Sequence, residues 1–340
     1  MEKEFHVGII GIGNIYNLAH KHAWKNISRA NVMATCDMVE ERAKKASEEL
    51  GTGAIEYYRD FRQLLKNGDI DLVDICTPSH LHAEMAIKSL ESGKHVICEK
   101  PIATTLADSK RMLEASRANG KRLFIGHTRR FDDRWVQIKD VISAGRIGEP
   151  ISVRRSERSW AGFPDGDWHW KRENGGVIVD LGIHAADLSR WFLGEEPVEV
   201  FSKFKSLREE AKVYGCYDFG VMLIKFRGGK QAVLEVSWAH PKEYAPFYCV
   251  TEVIGTKGKI QYSDKDSSPA LIVGDSISIP RFSTMLSSMP HVFTKEIEHF
   301  LDCVENGEKP RITDEDANTA LKVIVSALKS AEEGKPVMIN

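Results

Sequence analysis

The sequence predicts a two-part α/β chain: an N-terminal doubly wound parallel sheet, then an α/β domain built on a large, mainly antiparallel open sheet. Three observations carry this. Short apolar runs alternate with helical periods up to residue 126, later runs follow one another with period two, and a glycine turn stands where the first strand hands over to a helix. With 340 residues the chain exceeds one ordinary core, and the division falls at 1–126 and 127–340.

Phe5–Ile10 is an apolar run bounded by Gly11, as a buried strand requires, and a helical stretch follows. Asn31–Cys36 reads as the second strand, closing at Asp37. Glu40–Leu50 is a helix, with Ala43, Ala46 and Leu50 at helical spacing on an otherwise charged segment. Phe61–Lys66 is a short helix and Leu72–Cys76 a third strand ending at Thr77-Pro78. His82–Glu91 is helical and stops before Gly93; His95–Cys98 is a fourth strand, ending at Glu99-Lys100-Pro101. A helix over Thr105–Asn119 leads to strand Arg122–Ile125 and Gly126. In such folds ligands bind at the carboxyl ends of the strands, where Gly11, Asp37, Thr77, Glu99 and Gly126 all fall.

The second part opens with a helix over Asp133–Ala144, strand Ile151–Arg158 and a polar, Trp-rich loop. A helix over Val179–Leu193 follows, then period-two strands at Val198–Ser206, Phe219–Phe226, Gln231–Ser237 and Tyr248–Ile254. Ser263–Pro290, rich in Ser, Asp and Pro, reads as a loop or insertion. Helices over His291–Glu305 and Asp314–Glu333 close the chain, the latter with three acids in its first turn, where they suit the helix dipole.

Composition narrows the function classes. Hydrophobic residues make up 42% and charged residues 28%, ordinary for a globular protein, and the formal net charge of −2 offers no basic field for nucleic acid. No apolar run is long enough to span a bilayer, and the first residues run into a strand without a signal-peptide core. The six cysteines are scattered, without zinc spacing, and read as buried thiols of a cytoplasmic protein.

Gly11-Ile12-Gly13-Asn14-Ile15-Tyr16 is a G-x-G-x-x-(Gly/Ala) turn with a bulky last residue. Gly11 permits the tight turn and Gly13 lets the backbone, with Asn14 and Ile15, approach a pyrophosphate at the helix N-terminus. Tyr16 implies a wider gap or a shifted helix. Asp37, 24 residues beyond Gly13, can accept hydrogen bonds from ribose hydroxyls and would repel a 2′-phosphate, which points to NAD over NADP. Asp37 could equally be a strand-end acid or a helix cap.

Two segments suggest proton chemistry. Lys100, in Glu99-Lys100-Pro101 at a strand end, can donate a hydrogen bond to an alcohol or carbonyl oxygen, and Pro101 could fix its direction through a cis bond. Gly175-Gly176 precedes Asp180, His184 and Asp187, which share one helical face. Histidine suits proton exchange near neutral pH, with a carboxylate orienting the ring or binding a hydroxyl. The plainer reading is a surface Glu-Lys pair, a capping Asp and a core His. No metal is expected, since no Cys/His set has fitting spacing.

Thr77-Pro78-x-x-x-His82, Gly93-Lys-His-Val-x-Cys-Glu99-Lys100-Pro101 and Gly175-Gly-x5-Gly-x-His184, following the glycine turn and Asp37 in that order, resemble the Gfo/Idh/MocA family of glucose–fructose oxidoreductase and inositol dehydrogenase. Weaker echoes, such as Ile147-Gly-Glu-Pro150 and Gly255-Thr-Lys-Gly258, extend the resemblance over nearly the whole chain. It implies a Rossmann domain plus an α/β domain whose open sheet often mediates homo-oligomers, here a homodimer or homotetramer. It implies NAD(P)-linked oxidation or reduction at a carbinol of a sugar, inositol or similar polyol. By position, Lys100 would polarise the reacting oxygen, His184 would be the acid/base, and Asp180 would bind a hydroxyl or assist it. Thr77, Pro78 and His82 would line the cofactor cleft, with Glu99 near the nicotinamide ribose.

Substrate contacts are sought among Arg130, Arg155, Arg158, Trp160, Asp167, Trp168, His169 and Trp170, since aromatic faces and polar groups suit a sugar, although two of the three tryptophans read equally as core or interface residues. The arginines raise a second possibility, a carboxylated substrate such as a uronate. Two further functions stay open: an enzyme that retains NAD and cleaves or epimerises glycosides through transient oxidation, and a non-enzymatic NAD sensor.

Overall fold

The computed structural model describes residues 4–50, 55–242, 247–264, 270–278 and 288–340. They fall into two compact units, Met1–Phe131 with Ser287–Asn318, and Asp132–Leu286 with Thr319–Asn340.

The first unit holds β1 (Phe5–Ile10), β2 (Ala30–Cys36), β3 (Glu56–Tyr58), β4 (Leu72–Ile75), β5 (His95–Glu99) and β6 (Leu123–Gly126). All pair in parallel, in the order β3-β2-β1-β4-β5-β6, so β1, β4 and β5 lie side by side with their carboxyl ends on one edge. The order reverses beside β1, the place where such sheets open a crevice for ligands. Burial on both faces explains why these strands read as unbroken apolar runs rather than alternating ones.

The sequence reading gave this unit only the residues before 127. The chain returns to it: helix Met289–Asn306 buries Phe293, Ile297, Phe300 and Leu301 in one core with Phe5, Val7, Ile9 and Phe124. Phe124 and Phe300 stack with ring centroids 4.5 Å apart. The expected helix after the glycine turn contains a π-helical turn, Tyr16–His20, before Lys21–Asn26 continues as α. Glu56–Tyr58 escaped the sequence reading because it is a short edge strand with two exposed residues.

The second unit holds β7 (Pro150–Ser159), β8 (Pro197–Lys205), β9 (Phe219–Phe226), β10 (Gln231–Ser237), β11 (Phe247–Gly255), β12 (Lys259–Ser263), β13 (Ala270–Val273), β14 (Ser276–Ser278) and β15 (Val337–Met338). They form one nine-stranded sheet in the order β14-β13-β12-β11-β7-β10-β9-β8-β15. Every pairing is antiparallel except β7 with β10. Along β9, Met222, Ile224 and Phe226 are buried while Leu223 and Lys225 face out; along β10, Ala232 and Leu234 are buried while Val233 faces out. That alternation is what one covered and one bare face demand.

Three readings need correction here. The helix expected over Val179–Leu193 is two helices, Gly176–Asp180 and Gly182–Leu193, separated at Leu181. Part of the stretch taken as a loop, Ser263–Pro290, is the hairpin β13–β14; residues 265–269 and 279–287 lie outside the described residues. Glu209–Tyr214 is a short helix that the strand-dominated pattern concealed. Among the described residues no helix is long and apolar enough to cross a membrane, and all six cysteines are buried.

Candidate active site

In the first unit the glycine turn is built against the end of β4. Gly11 has φ +96°, and a Cβ there would sit 2.8 Å from the Cys76 carbonyl carbon and 2.8 Å from Thr77 Cγ2. Only glycine satisfies both demands. Gly13 differs: a Cβ there would meet a single neighbour, Cys76 O at 4.0 Å, so the space above it is open for a ligand. Asn14 and Ile15 open the helix. A cavity of about 270 Å³ lined by Ile12, Gly13, Asn14, Asn17, Arg42, Lys45, Ala46 and Glu49 adjoins the turn, with Lys45 paired to Glu49 at 3.7 Å. A helix start, an unfilled glycine and the Arg42 cation fit a phosphate-bearing cofactor.

Asp37 closes β2 and already holds backbone: Ile12 N–H donates to Oδ2 at 2.9 Å and Val39 N–H to Oδ1 at 2.9 Å. It therefore ties the glycine turn to the start of the next helix, the structural part of its two readings, and stands at the strand end where a ribose would reach it.

Tyr16 is fully buried, and the π turn accommodates it: Lys21 N–H bonds to Tyr16 O, five residues back, where an α-helix would bond four back. Burial, with Cys76 and Glu49 nearby, pushes the phenol well above its ordinary range. The widened turn brings His20 and Trp24 together onto Asp74 in β4. His20 Nδ1 lies 2.8 Å and Trp24 Nε1 2.7 Å from Asp74 Oδ2. His20 Nε2 lies 2.9 Å from Glu99 Oε1, and Glu99 Oε2 accepts the Lys100 N–H at 3.1 Å. The Lys100–Pro101 bond is cis.

Burial alone would favour a neutral His20, but Asp74, with Cys76 behind it, outweighs this and holds the ring well above its usual value. Burial and Asp74 push the Cys76 thiol up to about 12. From helix Met289–Asn306 comes Glu296, buried, with its Oε1 meeting no hydrogen-bond partner among the described residues. Burial, then repulsion from Glu99, keeps that carboxyl protonated far above the usual carboxylate range. Among the described residues, His20, Asp74 and Cys76 are the one group of three metal-ligand side chains within 4.8 Å, and they are engaged with one another. Sequence motifs alone pointed to none of His20, Asp74 and Glu296.

The remaining predicted residues divide. Thr77 and Pro78 are half-buried at the end of β4. His82 is buried, its ring nitrogens 2.8 Å from Pro101 O and 2.9 Å from Thr77 O, so it ties the two strand-end loops together. Arg130 is buried too and pairs with Asp316 at 3.4 Å.

In the second unit, Gly175 and Gly176 have φ of +74° and +54°, and a Cβ on Gly176 would lie 2.3 Å from Tyr217 O. This tight start sets helix Gly176–Asp180, which ends at half-buried Asp180; His184 follows, buried, in the first turn of Gly182–Leu193. In the preceding loop His169 stacks on Phe163 at 3.8 Å between centroids, and its Nδ1 lies 2.5 Å from Asp167 Oδ1. Trp168 is half-buried beside it, whereas Trp170 is a fully buried core residue. The strand arginines are matched internally: Arg155 to Glu157 (Nε–Oε1 2.6 Å) and Arg158 to Glu235 (2.6 Å).

Comparison with known proteins agrees with this layout. The family described as "Oxidoreductase family, NAD-binding Rossmann fold" matches residues 5–127, and the "GFO/IDH/MocA C-terminal domain" matches residues 135–261. The chain belongs to the GFO/IDH/MocA oxidoreductase family. Its first unit is the NAD-binding fold of that family, and the protein is an NAD-linked oxidoreductase. It is 31% identical over 339 residues to a myo-inositol 2-dehydrogenase of Thermotoga maritima, covering 98% of each chain. It is 30% identical over 345 residues to the scyllo-inositol 2-dehydrogenase (NAD(+)) of Bacillus subtilis, covering 100% of this chain and 98% of that one. A crystal structure of a probable dehydrogenase from Thermotoga maritima superposes with a TM-score of 0.85 at 31% identity, covering 98% of this chain and 99% of that one.

Two outcomes are expected. Gly11→Ala should cost about 2–5 kcal/mol, from backbone strain plus the clash with Cys76 and Thr77, and should abolish NADH binding followed by fluorescence. A carboxyl with a raised folded pKa gives its full stability below the unfolded value and loses it as pH climbs toward the folded one. For Glu296 that loss begins just above the ordinary carboxylate range, so the melting temperature of Glu296→Gln relative to wild type should rise as pH climbs from there; a difference independent of pH would contradict the raised value.

Proposed function

We propose that this oxidoreductase moves a hydride between nicotinamide and one carbinol carbon of an uncharged polyol or sugar, with inositols the first class to test. The observation that supports an uncharged substrate is the matching of Arg155 and Arg158 to acids of the protein, while Trp168 and His169 offer ring faces and a polar edge in the loop that follows their strand. The inositol dehydrogenases among the relatives support the same class.

NAD, when bound, supplies the hydride acceptor at its nicotinamide ring. Residues 1–126 serve it: Gly11, Gly13, Asn14 and Ile15 cradle the pyrophosphate, Asp37 receives the ribose hydroxyls and disfavours a 2′-phosphate, and Thr77, Pro78 and Glu99 flank the nicotinamide end. Lys100, at the end of β5 and two strands from the glycine turn, donates a hydrogen bond to the reacting oxygen. His184 takes the proton as the alcohol is oxidised and returns it in the reverse direction; Asp180 holds a neighbouring hydroxyl or steadies the imidazole. The remainder of the chain, apart from the stretch that returns to the first unit, serves substrate binding and assembly. The bare face of the nine-stranded sheet carries Leu223 and Val233, opposite each other on β9 and β10 and 43% and 41% exposed, as the seat of a homodimer or homotetramer. Buried cysteines fit a reducing cytoplasm.

Incubation with NAD and a panel of inositols, sugars and uronates should raise absorbance at the reduced-nicotinamide band with an inositol or neutral sugar. Substrate conversion with no net change in that band would instead indicate an enzyme that retains NAD. Lys100→Ala and His184→Ala should each lower turnover about 100-fold or more while NADH still binds; unaltered turnover in both removes the assignment. Light scattering should show an oligomer for the wild type and a monomer for Leu223→Lys/Val233→Lys; a monomeric wild type defeats the sheet-face proposal.

A further inference from the structure

We propose that His20 is a positioning residue for the reaction: held as an imidazolium between Asp74 and Glu99, it fixes the carboxylate that anchors the Lys100 backbone and so aims Lys100. The inference rests on the reading of Lys100 as the residue that polarises the substrate oxygen.

The geometry makes a chain of single bonds. Trp24 Nε1 and His20 Nδ1 both reach Asp74 Oδ2, His20 Nε2 reaches Glu99 Oε1, and Glu99 Oε2 takes the Lys100 N–H. A neutral imidazole carries one N–H, yet both ring nitrogens face carboxylate oxygens within 2.9 Å; only the doubly protonated ring donates to both. The ring is 2% exposed, with Phe293 packed edge-on at 4.9 Å, which shields both bonds from bulk solvent. Each element packed around it contributes a titratable neighbour: Tyr16 on its own helix, Asp74 from β4 with Cys76 just after it, Cys98 and Glu99 from β5 and Glu296 from Met289–Asn306. Among these neighbours His20 is the one basic group, and it stands between the carboxyls of Asp74 and Glu99.

Gly126 points the same way independently. A Cβ there would come within 3.2 Å of Glu99 Oε1, so the end of β6 is kept bare where that carboxylate must lie.

A purely structural ion network would affect folding alone. Burying such a group is weak evidence of stabilisation, because desolvation offsets much of the attraction. What distinguishes this one is that it terminates on the residue next to a predicted catalytic side chain.

The test uses the full-length protein, NAD and myo-inositol, with His20→Gln, Lys100→Ala and the double variant. His20→Gln should lower kcat about 10-fold, with NADH affinity changed less than about 3-fold, and the double variant should be no slower than Lys100→Ala, as expected when one residue acts through the other. Multiplying effects, or a lower melting temperature with unchanged kcat, would overturn the proposal. Full turnover in Lys100→Ala would instead remove the underlying reading of Lys100, so the two failures are separable. Should His20→Gln not fold, Gly126→Ala crowds Glu99 without altering any charge and should give the same non-multiplying loss. A readout free of turnover is the ¹⁵N spectrum of the histidine rings, assigned by the signals missing in His20→Gln. Both His20 nitrogens should show imidazolium shifts at pH 8, with or without NAD; a neutral tautomer there refutes the proposal.

Discussion

Gly11 is the constraint on which the rest of the first unit depends. Its left-handed backbone leaves no space for a side chain between β1 and the end of β4, and the contact with Cys76 and Thr77 sets how closely those strand ends meet. Given that approach, Asp37 can reach across to Ile12 N–H, and the helix after the turn can lower His20 and Trp24 onto Asp74. One residue without a Cβ thus determines where a phosphate cradle and a buried charge network lie relative to each other.

The parallel order of the sheet does the remaining positioning. Because β4 lies between β1 and β5, the glycine turn, the Thr77-Pro78 loop and the Glu99-Lys100-Pro101 turn share one edge. His82 links the latter two through the carbonyls of Thr77 and Pro101. In the second unit the double glycine performs a comparable service, starting a helix hard against Tyr217 so that Asp180 and His184 arrive one turn apart.

Much of this was legible in the residues. Strands buried on both faces announce themselves as apolar runs, and Gly11, Asp37, Glu99-Lys100-Pro101 and Gly175-Gly176 carry chemistry that propensity alone does not ask for. Short edges were not legible: β3, β13 and β14 have three or four residues each, too few for a period to show. Nor was the network around His20. A lone histidine on a helix, an acid in an apolar strand and a glutamate in a late helix each look unremarkable alone. Their meaning comes from packing: His20 meets Asp74 across 54 residues of chain and Glu99 across 79, with Glu296 buried beside them. The strand arginines were likewise not legible: type and proximity said nothing of the protein acids that Arg155 and Arg158 meet in Glu157 and Glu235.

The π turn at Tyr16–His20 carries a consequence for how this protein is compared with its relatives. One extra residue in a helical turn rotates every later side chain of that helix by about 100° relative to an unbroken α-helix. A gap-free pairing with a chain that lacks the turn would therefore match Trp24 and His20 to positions facing elsewhere. Removing a single residue from Tyr16–His20 would do the same to the molecule itself, swinging the imidazole away from both carboxylates while the glycine motif before it stayed intact. Insertion length, more than residue identity, is what keeps this helix's polar groups pointed inward.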